Sequence, residues 1–166
     1  LSSSSAASDV YKRQLWRRDL EEGIFSSMAS YGGLLFVGTD RSRIHAIEME
    51  SGDVKWSFTT DSRIFTSSPA VHDGTLYAGC YGGSFYALSA RSGRQRWVYR
   101  AGKAILSSPA FSGDMVFVGS EDGVLHALAI GTGKRVWEFR TGSSIVVGPD
   151  VSRGAVLVPS GAAVYS

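Results

Sequence analysis

The sequence predicts an all-β fold built from a repeated unit of about 40 residues, and three observations lead to that prediction. Glycine makes up 20 of the 166 residues and proline only 4, a balance that suits many short strands joined by tight turns. The four tryptophans are spaced by 40, 41 and 40 residues. Hydrophobic residues form 43 % of the chain, which is enough for a sizeable core.

The repeat extends to several positions besides tryptophan. One glycine ends an apolar run in each copy, and another precedes each later tryptophan by four residues. Periods of this length are typical of propellers, solenoids and arrays. We expect complete copies at 24–63, 64–104 and 105–144, with partial copies at 15–23 and 145–166. The structural positions of the repeat are Trp16, Trp56, Trp97, Trp137, Gly38, Gly79, Gly119, Gly52, Gly93 and Gly133.

Each copy is predicted to form four strands in chain order. In the second copy, a strand of small residues at 67–71 is followed by strands at 76–78, 84–89 and 96–99, the last of which carries the tryptophan. Asp122-Gly123 in the third copy favours a type I′ turn. The second strands are apolar at consecutive positions, which indicates burial on both faces. The pattern predicts a partial β-propeller with three full four-stranded antiparallel blades and two partial ones.

The ends of the chain differ from the repeat. Residues 1–14 (LSSSSAASDVYKRQ) share none of its positions, do not begin with methionine and lack the apolar run of a secretory signal. We expect them to be a non-native leader. The chain stops directly after the apolar run 162–165, so we expect both ends to be cut.

Composition and charge narrow the function classes. The net charge of +2 is too balanced for a dedicated nucleic-acid or membrane-surface binder, and no apolar run is long enough for a transmembrane segment. Because Cys80 is the only cysteine, no intrachain disulfide can form. Arginines cluster on the second copy, but equivalent places in the first copy are acidic, so a solvated blade rim is favoured over a nucleic-acid site. The arginines are Arg91, Arg94, Arg96 and Arg100; the acidic residues are Glu48, Glu50 and Asp53.

The order Ser-Ser-Pro, Leu-Tyr-x-Gly, Ala-Leu and Ser/Thr-Gly-x-x-x-Trp resembles the pyrroloquinoline-quinone-like (PQQ-like) repeat propeller family from residue 15 to about residue 165. The resemblance implies seven or eight blades, so the remaining blades of the same chain are expected neighbours. The repeats are similar to those of the outer-membrane assembly lipoprotein. They also resemble repeat regions attached to adenylate-forming enzymes and to some bacterial kinases. In the first copy, Ser26-Ser27-Met28 departs from the Ser-Ser-Pro pattern.

The family resemblance also raises the possibility of quinone chemistry. Quinoprotein dehydrogenases resemble one another in adjacent cysteines, a calcium site of carboxylate and amide oxygens, and an acidic base. Here Cys80 has no cysteine neighbour and the chain has no asparagine. We therefore assign no catalytic, cofactor-binding or metal-binding residue, and PQQ and calcium are expected only if the missing blades supply their site.

Histidine and serine give no catalytic pattern in the sequence. His45 and His126 occupy one repeat position two blades apart, too far for a shared metal, and His72 lies in a predicted turn. The recurring serines lack a Gly-x-Ser-x-Gly elbow and are interpreted as structural residues of the innermost strand.

The favoured function is a non-catalytic scaffold that binds a protein or peptide through loops or blade edges. Three alternatives stay open: a fragment of a quinone-dependent dehydrogenase, an accessory propeller region of an adenylate-forming enzyme or kinase, and a ligand-sensing domain. Whether the whole protein is an enzyme is left open, with this part of it favoured as non-enzymatic. The resemblance implies a periplasmic or other extracytoplasmic location.

Overall fold

The structure, a computed structural model, describes residues 14–166, so the expected leader lies outside the described residues except for Gln14. The described residues form fifteen strands and no helix. The first sheet contains β1 (Ala29–Tyr31), β2 (Leu34–Gly38), β3 (Arg43–Glu48) and β4 (Val54–Thr59). The second contains β5 (Ala70–His72), β6 (Thr75–Gly79), β7 (Ser84–Ser89) and β8 (Gln95–Arg100). The third contains β9 (Ala110–Ser112), β10 (Met115–Gly119), β11 (Val124–Ala129) and β12 (Arg135–Arg140), and the fourth β13 (Asp150–Ser152), β14 (Ala155–Ser160) and β15 (Ala163–Tyr165).

Every sheet is an antiparallel meander in which strands pair in chain order. Each four-stranded sheet carries a register shift between its third and fourth strands, after Ala46, Ala87 and Ala127. A bulge increases the local twist of a sheet, and here it recurs beside the tryptophan in each copy. The all-β fold of four-stranded antiparallel blades predicted from the sequence is confirmed.

The core lies between successive sheets. All five residues of β6 are buried, as are most of β2, β7, β10 and β11. Three apolar clusters fill the spaces between sheets one and two, two and three, and three and four. The consecutive apolar positions of the second strands are thus buried on both faces, since each sheet packs against its neighbours.

The turns differ in part from the prediction. Asp122 does not have a positive φ, so Asp122-Gly123 is not a type I′ pair; instead Gly123 donates to the Ser120 carbonyl in a longer loop. The two-residue turn between β5 and β6 has positive φ at both Asp73 (46°) and Gly74 (66°), as a type I′ turn requires. The tight hairpin therefore lies between the first and second strands of a sheet.

The loops fall on two opposite faces of the arc of sheets. We define the upper face as the one that carries the turns between second and third strands together with the connections from one sheet to the next. Backbone hydrogen bonds join these two sets of loops, from Ile64 to the Thr39 carbonyl (2.9 Å) and from Ile105 to the Cys80 carbonyl (3.1 Å). The lower face carries the remaining turns. Within residues 14–166, no helix has the length and apolar character needed to cross a membrane.

Candidate functional site

The tryptophans link one sheet to the next. The indole N–H groups of Trp16, Trp56 and Trp97 donate to carbonyls in the following sheet, at 2.7, 3.1 and 2.8 Å. The acceptors are the carbonyls of Met49, Ala90 and Ile130. Trp137 instead packs against Phe117, with ring centroids 5.7 Å apart, and is 37 % exposed.

The six repeat glycines lie at these same interfaces. A Cβ on Gly52, Gly93 or Gly133 would lie 2.5–2.7 Å from the ring atoms of Trp16, Trp56 or Trp97, and all three glycines have a positive φ. A Cβ on Gly38, Gly79 or Gly119 would lie 2.2–2.4 Å from the Cγ2 atom of an isoleucine in the next copy. The isoleucines are Ile64, Ile105 and Ile145. These glycines therefore allow close contact between neighbouring sheets.

The inner serines form a ladder between sheets. The backbone N–H of Ser27 donates to Ser68 Oγ, and that of Ser68 donates to Ser108 Oγ, each at 3.1 Å. Ser67 Oγ donates to the carbonyl of Ser107 at 3.0 Å. Because these hydroxyls are engaged with backbone groups 40 or 41 residues away, the ladder is structural.

A partly exposed carboxylate, that of Asp61, lies at the interface of sheets one and two, next to the upper face. Asp61 accepts hydrogen bonds from Ser84 Oγ, from Cys80 Sγ at 3.0 Å and from Arg100 at 2.7 Å. Partial burial opposes ionisation, but these donors outweigh it and lower the pKa of Asp61 to about 2. Burial and the adjacent carboxylate raise the pKa of Cys80 to about 11, which makes this thiol a poor nucleophile at neutral pH.

A second carboxylate, Glu22, joins the N-terminal segment to the first sheet. Its side chain is 4 % exposed; Oε2 lies 3.2 Å from His45 Nε2, and Arg43 donates to Oε1 at 2.8 Å. Desolvation by itself would raise the pKa of Glu22. Hydrogen bonds from Thr39 and His45, together with the charges of His45 and Arg43, outweigh desolvation, so the pKa of Glu22 is lowered. His45 Nδ1 lies 2.7 Å from Ser57 Oγ. Ser57 lies on the outer strand β4 and does not line the cleft described below, so we interpret this row of Glu22, His45 and Ser57 as an anchor.

The two repeat histidines have separate partners. His126 Nε2 lies 3.0 Å from Ser120 Oγ and its Nδ1 lies 3.1 Å from Tyr99 Oη, and burial lowers the pKa of His126. His72 stacks on Phe111, with ring centroids 4.8 Å apart. Between Gln14 and Ser166, no three or more histidine, cysteine, aspartate or glutamate side chains are grouped to hold a metal ion.

The upper face carries an apolar row, which we define as Phe25, Phe65, Leu106 and Val146; Leu106 is half-buried and the other three are exposed. Each member directly follows the recurring isoleucine, so the row crosses all four sheets. Phe25 and Phe65 are stacked with centroids 4.6 Å apart although they are 55 % and 37 % exposed. The Arg63 guanidinium lies 4.5 Å from the Tyr81 ring centroid and 5.5 Å from that of Phe65. An exposed pair of stacked aromatic rings beside a cation is the kind of apolar surface that binds protein partners.

Comparison with known families identifies the repeat. The sequence model of the family described as outer membrane protein assembly factor BamB matches residues 6–102 and 63–165. The chain belongs to this family of PQQ-like repeat proteins.

Individual relatives cover different protein classes. The chain is 34 % identical over 95 residues to a 1-butanol dehydrogenase (cytochrome c) of Thauera butanivorans, covering 50 % of this chain and 14 % of that one. It is 33 % identical over 93 residues to the serine/threonine-protein kinase AfsK of Streptomyces coelicolor, covering 54 % of this chain and 11 % of that one. The crystal structure of BamB from Moraxella catarrhalis superposes with a TM-score of 0.77 at 22 % identity, over 88 % of this chain and 46 % of that one. The chain thus spans only a small part of these curated relatives, and the structural likeness shows the propeller fold.

The described residues do not fit a quinone and calcium site. The single cysteine is buried and donates its hydrogen bond to Asp61, and the Asp61 oxygens accept from Ser84 and Arg100 as well. Glu22 is likewise occupied by Arg43 and His45. Both carboxylates are held by protein donors, and within residues 14–166 neither belongs to a group of three or more metal-ligating side chains. No reaction step is therefore derived through a quinone in this part of the chain.

Sequence reasoning did not identify the apolar row or the two carboxylates. The row had a visible signal, since an apolar residue follows the recurring isoleucine in every copy. Asp61 had no such signal in the repeat, because glycines, Gly102 and Gly142, stand at its position in the later copies.

Proposed function

We propose that the upper face binds a protein partner and that the protein acts as a non-catalytic scaffold in outer-membrane protein assembly, outside the cytoplasm. The apolar row is the observation that carries this proposal. Phe25 and Phe65 remain solvent-accessible while they are stacked on each other. Because the stacking already restricts both side chains, a partner that binds them loses less conformational entropy. The family match supports the assembly role, because the description of the matching family is outer membrane protein assembly factor BamB.

Site-specific photocrosslinking of the full-length protein in its own bacterium tests the binding surface. A photoreactive phenylalanine analogue at Phe65 is expected to crosslink to a component of the outer-membrane assembly machinery. The matched control carries the analogue at Val136, which is 56 % exposed but lies on the outer strand β12. Equal crosslinking at both positions, or none at Phe65, would contradict the proposal.

The scaffold role is tested separately with Phe25→Ser combined with Phe65→Ser. Folded outer-membrane proteins are expected to decrease in cells that carry the double variant, while Val136→Ser leaves their level unchanged. The double variant is first checked for unaltered thermal unfolding. Normal levels of outer-membrane proteins despite loss of both rings would exclude the apolar row from that role.

A second function, a part of a quinone-dependent alcohol dehydrogenase, is favoured by the identity to the 1-butanol dehydrogenase. It requires cofactor residues elsewhere in the protein. The full-length protein supplied with PQQ and calcium would then oxidise 1-butanol with an artificial electron acceptor, and absence of quinone binding would exclude it. An accessory role in a kinase, favoured by the AfsK match, requires a kinase domain in the same reading frame.

A further inference from the structure

A cleft of about 630 Å³ opens on the lower face of the second sheet, at the turn between β7 and β8. Its lining consists of hydroxyl, amide and guanidinium side chains: Ser89, Ser92, Arg94, Gln95 and Arg96. None of these residues carries a negative charge. The cleft is thus lined by hydrogen-bond donors and positive charge, opposite the face that carries the apolar row.

The first sheet carries acidic residues at the positions that correspond to Ser89 and Arg94. The same backbone hydrogen bond closes the turn in both sheets, from Glu48 to the Asp53 carbonyl and from Ser89 to the Arg94 carbonyl, each at 2.8 Å. Ser89 is therefore the counterpart of Glu48, and Arg94 that of Asp53.

Both acidic residues of the first sheet neutralise a cation. Glu48 accepts from Lys55 Nζ at 3.0 Å, and Asp53 pairs with Arg18 of the N-terminal segment. The counterpart of Lys55 in the second sheet is Arg96, and the counterpart of its partner Glu48 is Ser89, which has no charge.

The second sheet lacks these acidic partners, because Ser89 and Arg94 stand at their positions. Arg94 and Arg96 make no ion pair with any residue in 14–166, and Arg91 adds a third positive charge to the same turn. In the third sheet the counterparts of Arg94 and Arg96 are Lys134 and Val136, so only one positive charge lies at these two positions there. Uncompensated like charges around a cleft raise the local concentration of anions.

We propose that this cleft is a binding site for a phosphate group, held by Arg94 and Arg96 with the hydroxyls of Ser89 and Ser92. Planar guanidinium groups donate paired hydrogen bonds that match phosphate oxygens, and hydroxyls complete the set of donors. Free phosphate and a phospholipid headgroup share this chemistry. The site does not depend on the protein-binding proposal, because it lies on the other face.

The test introduces into the second sheet the acidic residue that the first sheet carries at Glu48. Binding of inorganic phosphate to the 166-residue chain is measured by calorimetry and by amide chemical-shift changes. Ser89→Glu is expected to weaken binding by about tenfold, because the new carboxylate pairs with Arg96 as Glu48 pairs with Lys55. Ser89→Gln introduces similar bulk without charge and is expected to keep binding. Gly131→Glu makes the same charge change in the third sheet, where an added Cβ meets nothing within 4 Å, and is also expected to keep it.

The source of the phosphate is distinguished with vesicles. Cosedimentation with vesicles that contain phosphatidylglycerol, absent with phosphatidylcholine alone and abolished by Ser89→Glu, assigns the site to a lipid headgroup. Phosphate binding without cosedimentation assigns it to a soluble ligand. The proposal is overturned if the unaltered chain binds neither probe, or if Gly131→Glu weakens binding as much as Ser89→Glu, since that would reflect net charge alone.

Discussion

Glycine is required at Gly93 for two separable reasons. Its φ of +69° lies in the left-handed region, and an added Cβ would lie 2.7 Å from the Trp56 ring. Gly102 isolates the first reason, because it has a φ of +85° but an added Cβ there meets nothing within 4 Å. The difference between these positions measures the contact between indole and backbone across the sheet interface.

We expect Gly102→Ala to cost about 1–2 kcal/mol of unfolding free energy, which is the backbone cost of a left-handed residue. Gly93→Ala is expected to cost a further 1–3 kcal/mol or so, because the ring of Trp56 must move. Urea unfolding of both variants gives the two values. Equal losses would show that the indole does not pack tightly on this turn.

The strands themselves follow closely from the sequence. The predicted third strand at 84–89 coincides with β7 because glycine-containing turns bound it on both sides. The predicted first strand at 67–71 is different, since β5 begins only at Ala70. Ser67 and Ser68 bond to the next sheet, and Pro69 has no N–H to donate to a ladder. Contacts 40 residues apart, such as this one, are not visible in a local pattern.

The role of the Asp61 carboxylate could not be predicted, because its donors lie in the segment 80–84 and at Arg100, which are distant from Asp61 in the sequence. Its pKa of about 2 in the folded protein lies below the ordinary value of 3.8. The folded state therefore gains stability from ionised Asp61 above about pH 4, and this contribution is lost as the pH falls towards 2.

We expect Asp61→Asn to reduce stability at neutral pH and to flatten its decline between about pH 4 and pH 2. Urea midpoints measured across this range test the expectation. Asp114→Asn is the control, because Asp114 is exposed and forms no ion pair with the described residues. A profile for Asp61→Asn that is parallel to that of the unaltered chain would contradict the assignment.

At the scale of the whole molecule, each sheet contacts only its immediate neighbours through one repeated set of residues. A tryptophan, a glycine, an isoleucine and a serine recur at each complete interface, so stability is expected to depend on individual interfaces. The repeat in the sequence was sufficient to predict this architecture. The arginines of the second copy were also visible in the sequence, but the cleft that Arg94 and Arg96 line was not.

Trp97 tests the contribution of one interface. It is 8 % exposed and packs with Tyr77 and Phe85 in the core between sheets two and three. Trp97→Ala is expected to cost about 3–5 kcal/mol, and Trp137→Ala less, because Trp137 is 37 % exposed. Urea unfolding followed by circular dichroism measures both. A loss near zero for Trp97→Ala would show that the tryptophan does not stabilise the interface.

The placement of one indole at each sheet interface also has a spectroscopic consequence. Trp16, Trp56 and Trp97 donate to carbonyls in successive sheets; Trp97 is buried, Trp16 and Trp56 are half-buried and Trp137 is exposed. Their fluorescence emission maxima are therefore expected to differ. With three of the four replaced by phenylalanine, the remaining indole becomes a reporter of a single interface. The protein thus contains an intrinsic set of probes for following the order in which the sheets separate.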